Sequence, residues 1–149
     1  MIGLLQRVAG ASVTIGGETV ADIGRGLLVL VAVRREDTRR DAERLAERIA
    51  GYRVFPDENG RMNLSLLDIG GELLLVPQFT LAADTKKGTR ASFTRAAAPE
   101  LGQALFDDLV AACRARLGKV GTGRFGADMQ VSLTNDGPVT FWLETGARV

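Results

Sequence analysis

Leu27 to Val33 reads Leu-Leu-Val-Leu-Val-Ala-Val, seven apolar residues with no polar interruption. A half-exposed strand alternates and an amphipathic helix shows a polar stripe, so a run this short and unbroken belongs to a strand buried on both faces. Gly24-Arg25-Gly26 turns the chain into it. The rest of the chain must therefore cover two faces of one strand.

The flanking patterns supply that cover. Val13 and Ile15 alternate with Ser12 and Thr14, and Gly16-Gly17 marks a two-residue hairpin turn before Glu18 to Ala21. Thr38 with Asp41 three residues on approaches a capping box. Ala42, Leu45, Ala46, Ile49 and Ala50 then follow at helical spacing, with arginines and glutamates on the opposite, solvated face. Asn59-Gly60 and Gly70-Gly71 are turn signals, and Leu73 to Val76 is a short apolar strand closed by Pro77. From Ala82 to Ala98 the chain is polar and aperiodic, which predicts a long loop. Pro99 suits the first turn of a second helix with a stripe of Leu101, Leu105, Phe106, Leu109, Val110 and Cys113, ended by Gly118. Met129, Val131 and Leu133 alternate with polar neighbours, and Val139 to Leu143 is extended after the turn signal Asn135-Asp136-Gly137-Pro138. The expectation is one α+β domain over residues 1–149, with a mainly antiparallel, barrel-like sheet and two amphipathic helices.

Composition narrows the chemistry. The chain has no histidine, which excludes a Ser-His-Asp triad, a Cys-His dyad and any His-ligated zinc. Its one cysteine, Cys113, rules out an intrachain disulfide and lies on the apolar side of the second helix, where it reads as core. No metal and no cofactor are expected. A net charge of +1 gives no broad basic face, so any nucleic-acid partner is gripped locally, at a single-stranded end. No apolar run is long enough to span a bilayer and no signal-like segment opens the chain, so a cytosolic location and no membrane partner are expected.

Two segments stand apart from the structural pattern. Gln78-Phe79-Thr80 sits at a strand end, where free backbone N–H groups join side-chain donors and acceptors. A cradle for a carbonyl or an adenosine and a plain capped strand end both fit that spacing. Asn135-Asp136-Gly137-Pro138-Val139-Thr140 is first a turn, and secondly a candidate for a cis Gly–Pro bond. Lys86, Lys87, Arg90 and Arg95 are the densest basic cluster beside a candidate site, readable as phosphate contacts or as solvated loop charge. Phe125, within Gly123-Arg124-Phe125-Gly126, either closes a turn or stacks a base.

Taken in order, Gln6-Arg7-Val8, Gly51-Tyr52-Arg53-Val54-Phe55, Met62-Asn63-Leu64, Gln78-Phe79-Thr80-Leu81-Ala82, Thr122-Gly123-Arg124-Phe125, Ala127-Asp128-Met129-Gln130-Val131 and Asn135 to Thr140 resemble the D-aminoacyl-tRNA deacylase family over nearly the whole chain. That resemblance implies a homodimer with shared sites, acting on the 3′ end of aminoacyl-tRNA. It implies that Gln78, Phe79 and Thr80 hold the terminal adenosine and aminoacyl group, with Phe125 and Met129 also in contact with substrate. It further implies that Gly137 and Pro138 form a Gly-cis-Pro element entering the partner's pocket, held by Arg7. In the family this rigid backbone rejects L-amino acids, while D-amino acids and glycine, including glycine mischarged on tRNA(Ala), fit. Two positions depart from the pattern: Pro77 replaces the usual serine, and Ala91 the usual proline.

An unassisted threonine hydroxyl is a poor nucleophile at neutral pH, and no histidine is present to activate it. Thr80 is therefore assigned to orientation, and the ribose 2′-OH beside the ester to the chemistry, as the family is read. The rivals are an RNA-end binding module, which has no need of a cis Gly137–Pro138 bond, and a threonine esterase, which would not survive Thr80→Ala. A structural dimer without a ligand leaves the polar strand end unexplained.

Overall fold

The computed structural model describes residues 1–146. Its first strand, β1 (Ile2–Ile15), runs into β2 (Glu18–Ile23) through Gly16 and Gly17, both at positive φ, as a type I′ turn requires. The apolar run forms β3 (Gly26–Ala32). Helix α1 (Arg39–Gly51) follows, with the Thr38 N–H donating to Asp41 Oδ2 at 2.8 Å across the expected capping box. Two short strands, β4 (Phe55–Pro56) and β5 (Met62–Leu64), pair with each other before the four-residue α2 (Leu66–Ile69). The chain continues through β6 (Glu72–Pro77), a 3₁₀ turn (Phe79–Ala82), α3 (Pro99–Arg114), β7 (Val120–Thr122) and β8 (Gln130–Glu144).

The main sheet runs β2-β1-β3-β6-β7, and β8 adds to the other edge of β1. Pairs involving β1 are antiparallel, whereas β3–β6 and β6–β7 are parallel. The expectation of a mainly antiparallel sheet holds around β1. The parallel half is imposed by α1 and α3, which carry the chain back between neighbouring parallel strands.

Alternation along β3 explains the unbroken run. Leu27, Val29 and Val31 face Leu45 and Ile49 of α1 and Leu105 and Leu109 of α3 in the larger core. Leu28 faces a second core with Val8, Val13, Ile23, Leu74 and Val76. Each side chain so covered contributes about 1.5–3 kcal/mol relative to exposure. Cys113 lies within the larger core, and burial pushes its thiol pKa up to about 12.

Three details differ from the sequence-based expectation. Helix α2 was not expected, since four residues carry less than one turn of periodicity; its signature is the local box of Ser65 and Asp68, ended by left-handed Gly70. Helix α3 stops at Arg114, capped by Ala115, so Gly118 does not end it. The segment Asn135–Pro138 does not reverse the chain. Asn135 pairs with Val8 and Thr140 with Gln6, so β8 keeps its direction and bulges between them.

A polar clasp joins the ends of β1, β3 and β8. The Met1 ammonium donates to Asp37 Oδ1 at 2.7 Å and to the Thr145 carbonyl at 2.5 Å. Burial lowers its pKa, and the Asp37 carboxylate opposes that shift. Arg34 Nη2 donates to the same carbonyl at 2.6 Å, and the Arg34 N–H to Asp37 Oδ2 at 2.6 Å.

The tightest approach in the sheet is at Gly26, where a Cβ would overlap the Glu72 carbonyl oxygen and stand 2.7 Å from its carbon. Gly26→Ala is expected to destabilise the protein by about 2 kcal/mol or more, because backbone in a paired strand has no room to yield. Gly51→Ala, with nothing near its Cβ, is expected to stabilise by about 0.4–1 kcal/mol. Urea unfolding of both variants checks the pair.

Candidate active site

The end of β6 places Gln78. Its N–H donates to the Val31 carbonyl at 2.7 Å, the last rung between β6 and β3. The chain then winds into the 3₁₀ turn, in which Leu81 N–H reaches the Gln78 carbonyl at 3.2 Å. Within this turn the Gln78 side-chain Nε2 donates to Thr80 Oγ1, fixing the two polar side chains together. Phe79 is 61% exposed, which a merely structural strand end would not require of an aromatic ring.

Beside this turn lies an open cavity of about 300 Å³, lined by Val31, Pro77, Gln78, Phe79, Phe106 and Phe125 among others. None of its nine lining residues carries an ionisable side chain. Phe125 reaches it across α3, where Gly102 leaves the space: a Cβ there would stand 3.0 Å from the Phe125 ring. Met129 is placed by Gly123, whose missing Cβ would stand 2.7 Å from the Met129 sulfur and 3.5 Å from Pro77 Cδ. Gln78, Phe79 and Phe125 thus line one cavity, with Thr80 bonded to Gln78 and Met129 packed behind Gly123.

Sequence reasoning missed Phe93. Its ring lies 5.2 Å from that of Phe79, so the segment read as a featureless loop packs against the site. It also missed the walls from Val31, Ala97 and Gly102, whose apolar character gave only a core signal.

Arg7, Gly137 and Pro138 form a second group. The Gly137–Pro138 bond is cis, and both residues are exposed in the β8 bulge. Arg7 Nε donates to the Asp136 carbonyl at 2.8 Å and Arg7 Nη1 to the Val54 carbonyl at 2.7 Å. Asn135 Oδ1 accepts from the Val139 N–H at 2.7 Å, and its Nδ2 donates to Thr140 Oγ1 at 2.9 Å, closing the bulge from within. The structure does not bring this group to the first one within a chain. The register Arg7–Leu27–Leu73 puts Gln78 five residues farther on, and three strand spacings separate β8 from β6. With spacings of about 4.8 Å and rises of about 3.3 Å, the groups lie roughly 20 Å apart along the sheet.

The family model for D-Tyr-tRNA(Tyr) deacylase matches residues 4–144. This chain belongs to the D-Tyr-tRNA(Tyr) deacylase family. The D-aminoacyl-tRNA deacylase of Thioalkalivibrio sulfidiphilus is 66% identical, with 97% of each chain covered. That of Hahella chejuensis is 62% identical over 96% of this chain and 98% of its own. A solved structure of a c-Myc DNA unwinding element binding protein superposes with a TM-score of 0.94 at 39% identity, covering 99% of this chain and 100% of that one. A probable eukaryotic D-amino acid tRNA deacylase, at TM-score 0.83 and 18% identity over 97% and 98% of the two chains, shares the fold. The family membership makes this chain a hydrolase of the deacylase type.

A second hollow, of about 430 Å³, lies behind the 3₁₀ turn between Arg34, Leu81, Arg95, Trp142 and Glu144. The Trp142 indole N–H donates to Glu144 Oε1 at 2.7 Å and Arg34 Nη1 to Oε2 at 2.9 Å. These contacts, the indole first, hold the Glu144 pKa below the usual carboxylate range. A carboxyl depressed by folding favours the folded state above its unfolded pKa, and loses that effect as pH falls through its folded pKa. Glu144→Gln should therefore lower the melting temperature most near about pH 7, with the gap from wild type narrowing toward about pH 3. Thermal melts across that range check it.

Proposed function

We propose that this chain hydrolyses the ester of D-aminoacyl-tRNA in the cytoplasm as a homodimer with shared sites, releasing free amino acid and tRNA. The observation that carries the mechanism is the uncharged cavity beside Gln78 and Phe79. A site without an acid or base among its lining residues catalyses by holding and polarising its substrate. The terminal adenosine would stack against Phe125, and the aminoacyl group would lie along Phe79. Gln78 and Thr80 orient the ester, and the N–H groups of Phe79 and Thr80, which open the turn and have no partner within it, face the developing oxyanion. The neighbouring ribose 2′-OH supplies the reactive oxygen.

Selectivity is assigned to Gly137 and Pro138 of a second copy. Their exposure, and the roughly 20 Å that separates them from Gln78 along one chain, favour a site completed from outside. Backbone carbonyls held at a bulge cannot rotate away from an L-substituent, so the L-ester is refused by overlap while the D-ester enters. Glycine has no side chain to clash, so glycyl-tRNA, including glycine mischarged on tRNA(Ala), would be a further substrate.

Deacylation of matched D- and L-tyrosyl-tRNA is the direct test: rapid loss of the D-ester with the L-ester spared is expected. Survival of both esters would reject the reading. Thr80→Ala is expected to lower kcat by less than about 100-fold, whereas loss of a true nucleophile costs about 10⁴-fold or more. Single-turnover kinetics on D-tyrosyl-tRNA separate the two.

Arg7→Ala removes the donors to the Asp136 and Val54 carbonyls. Its expected effect is at least about a tenfold loss of D-over-L discrimination, equal to about 1.4 kcal/mol of differential transition-state binding. Measurement of kcat/KM for both esters checks this. Unchanged discrimination would separate Arg7 from selectivity.

A further inference from the structure

Of the stretch Ala82 to Ala98, expected to be an aperiodic loop, Ala82 ends the 3₁₀ turn and residues 83–98 form a rooted arm. Asp84 and Ser92 exchange backbone hydrogen bonds at 2.7 and 2.9 Å, closing a narrow neck. Beyond it, residues 85–91 are all exposed. The Asp84 carboxylate accepts from the Lys86 N–H at 3.0 Å and so shapes the first turn of the tip. On the return side Phe93 packs on Phe79 at the cavity mouth, and Arg35 binds the carbonyls of Arg95 and Thr94 at 3.0 and 2.9 Å.

The tip carries Lys86, Lys87 and Arg90 and no acidic side chain. Among the described residues no carboxylate lies within 4.0 Å of any of these three cations. On α1, by contrast, Arg39 and Arg44 are matched by Glu43 and Glu47. With a net charge of only +1, an unmatched triplet on a projecting arm is a local field and not the edge of a general one.

We propose that this arm is a clamp for the sugar–phosphate backbone of the substrate RNA, gripping it just upstream of the terminal adenosine. The inference rests on the deacylase reading and names the part of the substrate that the cavity does not hold. A tip of this length projects roughly 10 Å, or about three nucleotide steps of 3.4 Å. Phosphates approaching the cavity mouth then pass within reach of Lys86, Lys87 and Arg90. The Phe93–Phe79 contact ties the clamp to the site, so a gripped backbone delivers its end to Gln78 in a set position. Lysines and an arginine on exposed backbone neutralise phosphates without reading sequence, which suits an enzyme that meets many tRNAs.

The test compares two substrates that share the reacting end: D-tyrosyl-tRNA and 3′-(D-tyrosyl)adenosine, which has no upstream phosphate. The triple variant Lys86→Gln, Lys87→Gln, Arg90→Gln is expected to raise KM for the tRNA ester at least tenfold, with kcat within about twofold. On the adenosine ester it should match wild type. The slope of log(kcat/KM) against log salt for tRNA should fall by about 2, since each phosphate contact contributes about 0.7–0.9. An unchanged salt slope, or an equal loss on the adenosine ester, overturns the clamp. If wild type hydrolyses neither ester, the deacylase reading fails, and affinity for fluorescent uncharged tRNA judges the arm: equal binding by wild type and variant rejects it.

Discussion

Both edges of β1 are occupied along nearly its whole length, and the positions of all the site elements descend from that pairing. On one edge Ile2 to Val8 pairs with β3 and Ala11 to Ile15 with β2; on the other, Ile2 to Thr14 pairs with β8. A strand so engaged has no register freedom, because a slip of one residue would exchange the faces of Leu5 and Val8 between two separate cores. The largest break in the β8 ladder is at Arg7, which pairs with Leu27 on the β3 side and has no rung on the β8 side; a smaller shift follows between Val8 and Gly10. The surplus residues of β8 must leave the sheet there. Arg7 then binds the carbonyl they present, so the place where pairing fails is also where the Gly137–Pro138 bulge is held.

The same accounting of backbone groups builds the cavity beside Gln78. β6 is paired to β3 through the Gln78 N–H and to β7 up to Leu75 and Thr122. Beyond these rungs nothing continues the ladder, and the chain winds into a turn whose first N–H groups have no partner within it. The walls around it are apolar because they are the continuation of the larger core: Val31 and Phe106 serve both. A site made from the frayed end of a core strand is rigid and uncharged at once. Such a site is poor at proton transfer and good at orientation.

Legibility in the sequence followed the length of the signal. Helix α1 announced itself through Thr38, Asp41 and two turns of apolar spacing, and β3 through its unbroken run. Helix α2, shorter than the period that would reveal it, was invisible except through Ser65 and Asp68. Asn135-Asp136-Gly137-Pro138 has the composition of a reversal, but reversal depends on partners, and the Asn135 side chain keeps the bulge closed so that β8 runs on. The arm carried no periodicity because it is held by scattered backbone bonds, the Arg35 side chain and one aromatic contact, not by a regular element. Gln78, Phe79 and Phe125 were recognisable as motif residues. Their common cavity, and its distance from Pro138, are tertiary facts that no local pattern encodes.

Pro77 shows how a proline is accommodated inside a paired strand. A proline in a central strand normally removes a ladder bond. Backbone N–H groups along a strand point alternately to its two neighbours, and Gln78 donates toward β3, so the nitrogen of residue 77 faces the β7 side. There the last rung is the Gly123 N–H to the Leu75 carbonyl at 2.9 Å, and β7 has already ended at Thr122. The missing N–H falls one step past the last rung between β6 and β7. The ring finds its own contact instead, since Gly123 has no Cβ and leaves space beside Pro77 Cδ. Against the serine that the resemblance leads one to expect, proline lacks a hydroxyl and fixes φ one residue before Gln78. Under the orientation mechanism proposed for this cavity, a stiffer approach to Gln78 works in the same direction as the turn that follows it.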